Sequence, residues 1–358
     1  MSKVILKEAF ITRDESAAYS ESGFSCDNVL FLKHGDSGYF ITDARYTTEA
    51  KEKIKDSKYK KCKNVEVVES SDLLEDALAL IKKQKIKSLV FDPLRMQVSE
   101  YLRLKDEVSL KEVPNFTQKL RAIKEPYELE LLKHSQALNK KAYKKLSKFI
   151  NKVLFTEGDK GLSEQFLWFK MKGFLEDKGS YPLSFEPIVA INGNAAKPHA
   201  LPSKDVFLKE GDCLLVDAGL KYERYCSDRT RSAYIKEDFK FSQTQTFTKK
   251  EHQKIYDLVK KAKDEATKKA RSGMKARDLD AIARDVIDKG GYSKYFVHSL
   301  GHGIGLDIHE EPFITKRSET ILEDGMVFSI EPGIYLPESF GIRIEDLVVL
   351  KDGRAEVL

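Results

Sequence analysis

His298-Ser299-Leu300-Gly301-His302-Gly303-Ile304-Gly305-Leu306-Asp307-Ile308-His309 gathers three of the seven histidines of this 358-residue chain into twelve positions. A lone histidine is usually a satisfied core or surface residue. Three of them interleaved with glycines need a chemical reason. Glycines on both sides of His302 are expected to let the backbone approach a ligand closely. His199 stands in a second loop of the same kind, Gly193-Asn194-Ala195-Ala196-Lys197-Pro198-His199.

Outward from this stretch, acidic residues stand where ordinary strands avoid them. Asp217 ends the apolar run Cys213-Leu214-Leu215-Val216, and Asp228 follows eleven positions later. Glu331 ends Val327-Phe328-Ser329-Ile330, and Glu345 precedes Asp346 and the apolar run Leu347-Val348-Val349. A buried carboxylate is costly unless it is paired or bound to a metal. Four such acids at strand ends, with a histidine- and glycine-rich loop between them, point to a shared cation site.

The surrounding chain divides in two. Its first third alternates strand-like and helix-like pieces. Val29 to Leu32 and Tyr39 to Thr42 are separated by the turn residues Gly35 to Gly38; Val65 to Val68, a helical stripe from Leu73 to Ile81, and Leu89 to Phe91 follow. That alternation predicts a small α/β domain over residues 1–120. Arg121 to Pro126 reads as the linker into a second domain over residues 121–358.

There a long helix starts at Pro126, with Leu131, Ser135, Leu138, Ala142, Leu146 and Phe149 on its buried face. A second helix is expected to open at a capping box formed by Thr248 and Glu251, bury Ile255, Val259, Ala262, Ala266 and Ala270, and stop at Gly273. A third spans Leu279 to Ile287 and stops at Gly290-Gly291. Strands are expected at Ile188 to Ile191, Cys213 to Val216, Val327 to Ile330 and Leu347 to Leu350. The fold class is α+β.

Composition excludes other classes. With 41% hydrophobic and 33% charged residues the chain is an ordinary globular one. The formal charge of +5 comes from scattered lysines, read as solvated faces, so no nucleic-acid groove is expected. No run approaches the ~20 apolar residues that cross a bilayer. The opening residues carry charges where a signal peptide needs an apolar run. Four cysteines, none in a CxxC pair, suit reduced thiols. A cytoplasmic protein is expected.

The order Asp217, Asp228, His302, Glu331, Glu345 resembles the dinuclear site of the pita-bread metallopeptidases, among them methionine aminopeptidase, aminopeptidase P and prolidase. The resemblance rests on the Asp217–Asp228 spacing, on Gly-His-Gly-Ile-Gly around His302, on Glu331-Pro332-Gly333 and on Arg343-Ile344-Glu345-Asp346. It spans roughly residues 120–358. The first third resembles the α/β domain preceding this fold in aminopeptidase P, prolidase and creatinase, chiefly through Thr42-Asp43-Ala44-Arg45-Tyr46. His298, four residues before His302, points to the aminopeptidase P and prolidase branch. Where relatives usually read Gly-Tyr-Cys-Ser-Asp-Ile-Thr-Arg, this chain has Arg224-Tyr225-Cys226-Ser227-Asp228-Arg229-Thr230-Arg231, with arginine at two positions.

The resemblance implies a metal-dependent Xaa-Pro aminopeptidase that frees an N-terminal residue from a following proline by means of a hydroxide held between two divalent metals, with manganese favoured over cobalt or zinc. It implies Asp217, Asp228, His302, Glu331 and Glu345 as ligands, Glu331 also as proton shuttle, and His298 and His309 as catalytic and substrate-binding groups. His199 lines the proline side, and Arg343 and Thr230 support the ligands from behind. A homodimer is the family expectation. Alternatives are a dipeptidase restricted to Xaa-Pro, or a non-catalytic peptide-binding module on the same fold.

Overall fold

The structure is a computed structural model that describes residues 8–158 and 161–358. The first seven residues, part of the charged opening stretch, lie outside the described residues. Contacts cluster into two units that divide between Arg121 and Ala122.

The first unit is built on a six-stranded mixed sheet in the order β4-β3-β2-β1-β5-β6. Its elements run β1 (Phe10–Thr12), α1 (Glu15–Ser22), β2 (Val29–His34), β3 (Ser37–Thr42), α2 (Thr47–Asp56), β4 (Asn64–Glu69), α3 (Leu73–Lys83), β5 (Ser88–Phe91), α4 (Val98–Leu104), β6 (Ser109–Glu112) and α5 (Phe116–Arg121). Side chains alternate across each strand. Leu30, Leu32 and Ile41 therefore pack with Leu74, Ala77 and Ile81 of α3. Phe31 and Phe40 face the other way, against Ala50 and Ile54 of α2 and Phe116 of α5.

The second unit opens with α6 (Pro126–Ile150), a π-helical turn over Asn151–Thr156, and α7 (Glu164–Glu176). Then come β7 (Ile188–Ile191), β8 (Cys213–Asp217), β9 (Lys221–Tyr222), β10 (Tyr225–Cys226) and β11 (Thr230–Tyr234). Two helices follow, α8 (Lys250–Lys269) and α9 (Ala276–Lys289). The chain ends in β12 (Gly301–Gly303), β13 (Glu310–Ile314), β14 (Val327–Ile330), β15 (Gly333–Leu336), β16 (Phe340–Arg343), β17 (Asp346–Lys351) and β18 (Arg354–Val357).

Two helix-backed sheets result, each with its own core. In the first, Leu146 and Ile150 of α6 and Leu167 and Met171 of α7 pack on Val189, Leu214 and Val216 of the β11-β8-β7 sheet. In the second, Ile255, Val259, Leu279 and Ala283 of α8 and α9 pack on Phe328, Ile330, Val348 and Leu350, which belong to the β13-β12-β14-β17-β18 sheet. Among the described residues no helix is long and apolar enough to cross a membrane.

Several local expectations are corrected. Thr248 does not cap α8: its hydroxyl shares a 3.0 Å hydrogen bond with Tyr234, and the helix starts at Lys250 without a side-chain cap. The helix stops at Ala270, not at Gly273, because Arg271 leaves to bridge to Arg354. The buried face of α6 is rotated from the expected one and includes polar Gln136, Asn139 and Tyr143. These side chains hydrogen-bond backbone carbonyls of the first sheet's strand ends, so the helix reads as less amphipathic than it is packed.

Candidate metal centre

Strand register brings the acids together. β8 pairs antiparallel with β11, with Asp217 opposite Thr230. β14 pairs antiparallel with β17, with Ile330 opposite Asp346, so Glu331 and Glu345 leave the same end of that pair. The two sheets are joined there: the Glu345 N–H donates to the Thr230 carbonyl at 3.2 Å, and the Ser232 hydroxyl donates to the Arg343 carbonyl at 3.1 Å. The intervening Asp228 loop is held from α6. Gln136 donates to the Asp228 carbonyl at 2.8 Å, Asn139 to the Ala218 carbonyl at 2.8 Å, and Tyr143 to the Arg229 carbonyl.

His302 lies in strand β12, not in a loop. A Cβ at Gly301 would collide with the Ser329 carbonyl, and one at Gly303 with the Glu311 carbonyl. The flanking glycines thus make room for neighbouring strands rather than for a ligand. His302 Nδ1 faces its Gly303 carbonyl at 3.1 Å, which leaves Nε2 turned to Glu331 at 3.3 Å and Asp228 at 3.7 Å. An imidazole anchored through one nitrogen to a backbone carbonyl is preset to offer the other to a metal. Ser329 supports both side chains, accepting from the His302 N–H at 3.0 Å and donating to Glu331 at 3.1 Å.

Asp217, Asp228 and Glu345 each present an oxygen within 4.8 Å of the other two. Asp217 Oδ1, Asp228 Oδ1 and Glu345 Oε1 are buried without a hydrogen-bond partner among the described residues. Burial first, then the charges of Glu345 and Asp217, push Asp228 well above the carboxylate range. Burial, then Glu331 and Asp217, do the same to Glu345. Burial would raise Glu331 also, but hydrogen bonding to His302 and the His302 charge bring it down to about 2. Burial lowers His302, and Glu331 more than reverses this. Orphaned, mutually repelling carboxylate oxygens beside an oriented imidazole fit divalent cations, and four carboxylates neutralise two of them. Oxygen-rich ligation with one imidazole suits manganese, cobalt or zinc.

Arg343 is buried behind this cluster. Its guanidinium donates to Asp217 at 2.6 Å, to the Thr230 hydroxyl at 3.1 Å, to the Pro198 carbonyl at 3.1 Å and to the Tyr335 hydroxyl at 2.8 Å. Thr230 in turn donates to Glu345 at 2.9 Å. The nitrogens of His298, a candidate substrate-binding group, meet the Tyr335 hydroxyl and the Ser299 carbonyl, each at 2.8 Å. His309 is exposed and lies edge-on to His302, with ring centroids 4.3 Å apart. The ring is partly desolvated on the side facing the cluster; that, then the His302 charge, lowers its pKa. His199 is exposed in its loop and contributes to the same lowering. Tyr335 and Ser329 were not anticipated; Tyr335 stands four residues after Glu331, on the strand that follows it, and that spacing was the available signal.

The model of metallopeptidase family M24 matches residues 130–352. The chain belongs to metallopeptidase family M24. The Creatinase/Prolidase N-terminal domain matches residues 1–123 of this M24 chain. Among curated relatives, an Xaa-Pro dipeptidase of Lactobacillus helveticus is 33% identical over 81% of this chain and 79% of its own length. Among solved structures, an Xaa-Pro dipeptidase from Bacillus anthracis superposes with a TM-score of 0.83 at 29% identity, covering 98% of this chain and 92% of the other. An X-Pro aminopeptidase from Thermotoga maritima gives 0.81 at 29% identity, covering 99% and 96%. The M24 chain is a hydrolase, a metallo-exopeptidase with the α+β pita-bread fold.

Proposed function

We propose that this M24 peptidase removes the N-terminal residue from peptides with proline in second position, using two divalent cations held by Asp217, Asp228, His302, Glu331 and Glu345. The observation that carries the reading is the convergence of these five side chains, with three buried carboxylate oxygens that have no hydrogen-bond partner among the described residues. When bound, the cations supply Lewis acidity and lower the pKa of water toward neutrality.

The remaining chemistry falls to the chain itself. The Xaa-Pro bond is a tertiary amide without an N–H, and its nitrogen must gain a proton before it can leave. Glu331 is ionised at neutral pH and stands at the edge of the cluster, so it can accept a proton and pass it to the proline nitrogen. His309, kept neutral, offers a ring N–H to charge developing on the scissile carbonyl oxygen. His298, fixed by Tyr335, and His199 at the rim position the peptide. Arg343 and Thr230 hold Asp217 and Glu345 in place.

A second reading, a dipeptidase confined to Xaa-Pro, is favoured by the names of the Lactobacillus and Bacillus relatives; the Thermotoga neighbour favours the first. The proposal extends to manganese as resident ion, to a homodimer, and to the cytoplasm. The oxygen-rich donor set supports the first, and four free, buried cysteines support the last. The test is manganese-, cobalt- or zinc-loaded protein given Gly-Pro and Xaa-Pro-Pro peptides in parallel, with products read by mass. Release of the first residue from Xaa-Pro-Pro supports the aminopeptidase; cleavage of Gly-Pro alone supports the dipeptidase; cleavage of neither with any metal sinks both.

A further inference from the structure

Lys140, Lys144 and Lys148 recur every fourth residue along α6 and so leave it on one side. Like charges at this spacing destabilise a helix. They line a cavity of about 680 Å³ together with Lys240 and Arg229, and Asp238 is the one acid among its lining residues. The cavity also has an apolar wall. Half-buried Phe241 packs edge-on against Tyr143 and Phe239, with ring centroids 5.2 and 5.5 Å apart. None of the five residues of the metal centre lines it.

Exposed lysines alone are an ordinary solvated face. Arg229 is different. It is only 7% exposed, and its Nε is buried without a hydrogen-bond partner among the described residues. Its Nη1 lies 3.8 Å from the Asp346 carboxylate. That carboxylate already accepts from Arg231, Lys263 and Gln243. Arg229 thus brings a buried guanidinium, its Nε without a partner among the described residues, to the lining of a cavity that also carries four lysines. A guanidinium left in this way is costly, and its planar fork matches the oxygens of a phosphate. The cavity's size falls within the ~300–1,000 Å³ of small-molecule sites.

We propose that this cavity binds a phosphorylated small molecule carrying a flat apolar group, of the kind a nucleoside diphosphate represents. Arg229 takes a phosphate from below, the lysines supply the remaining charge, and Phe241 with Tyr143 receives the apolar group. The test is calorimetric titration of the metal-loaded full-length protein with ADP and with pyrophosphate, at fixed chloride concentration, using acetate as a control. ADP is expected to bind more tightly than pyrophosphate, and acetate not at all. Arg229→Met is expected to weaken ADP binding about tenfold or more. The exposed double change Lys144→Glu, Lys148→Glu, which spares the core, is expected to do the same with the melting temperature retained. ADP binding that survives both variants belongs to the metal centre and overturns the proposal. So does the absence of ADP binding at millimolar concentration, or equal affinity for ADP and pyrophosphate.

Discussion

Arg343 donates to Asp217 at 2.6 Å with both side chains buried, while the same guanidinium reaches Thr230 and Tyr335. One residue thus orients a carboxylate of the metal centre, the hydroxyl that supports Glu345, and the phenol that fixes His298. Replacing it with glutamine leaves a buried carboxylate uncompensated, which typically costs about 3–5 kcal/mol. Arg343→Gln should lower the melting temperature and the metal content together. Stoichiometric metal in a folded Arg343→Gln protein would show that Asp217 needs no such support.

Acidity should act on the metal-free protein in a definite direction. The folded pKa values of Asp228 and Glu345 lie above those of the unfolded chain, mainly through burial and then through neighbouring carboxylates. Between the unfolded and folded values the native state binds more protons than the unfolded one. These two groups therefore contribute stability at pH below ~4, and that contribution is lost as pH rises toward the folded values. Glu331 works the other way: held at about 2, it contributes stability above the ordinary carboxylate range and loses it on acidification toward 2. His252, His298 and His309, lowered by burial, act the opposite way near neutrality and do so with or without metal. The melting temperature of chelator-treated protein should therefore fall further below that of metal-loaded protein as pH rises from 5.5 to 8; a gap that stays constant or shrinks would contradict the assignment.

The candidate site could be read from sequence because its acids close or adjoin apolar strands. Asp217, Glu331 and Glu345 each stand at the end of a run that must be buried, so a charge there carries information. The supporting groups were harder to read. Gln136 and Asn139 look like solvent-facing helix residues, yet they satisfy carbonyls of the strand ends facing them. The glycines around His302 implied close approach, but only the three-dimensional sheet shows that the approaching group is backbone. Thr248 and Glu251 had the spacing of a capping box; the Thr248 hydroxyl was drawn to Tyr234, a partner that local sequence cannot supply.

Glu331→Gln keeps the side-chain volume and an oxygen for the metal centre but removes the group proposed to carry the proton. Turnover should fall by about 10²–10⁴, the usual worth of a positioned acid–base group, with little change in KM. At least one metal equivalent should remain by elemental analysis. Near-normal kcat would move the proton-transfer role to another residue.

His309 and His298 should separate cleanly, because the structure ties one of them down and exposes the other. His309 is exposed beside His302, its ring edge-on at 4.3 Å between centroids. His309→Ala should therefore spare metal content and melting temperature while lowering kcat by about a hundred- to a thousand-fold, the typical loss of one donor aimed at an oxyanion. His298 instead fills a slot between Tyr335 and Ser299. His298→Ala leaves the buried Tyr335 hydroxyl with Arg343 but without its second partner, so about 1–3 kcal/mol of stability should disappear along with activity. His298→Gln, which can still meet Tyr335, should restore part of the stability. Measuring melting temperature, metal stoichiometry and kcat on all three variants decides the matter. A His309→Ala protein that melts early but turns over normally would make that ring a packing element and leave the transition state without its proposed donor.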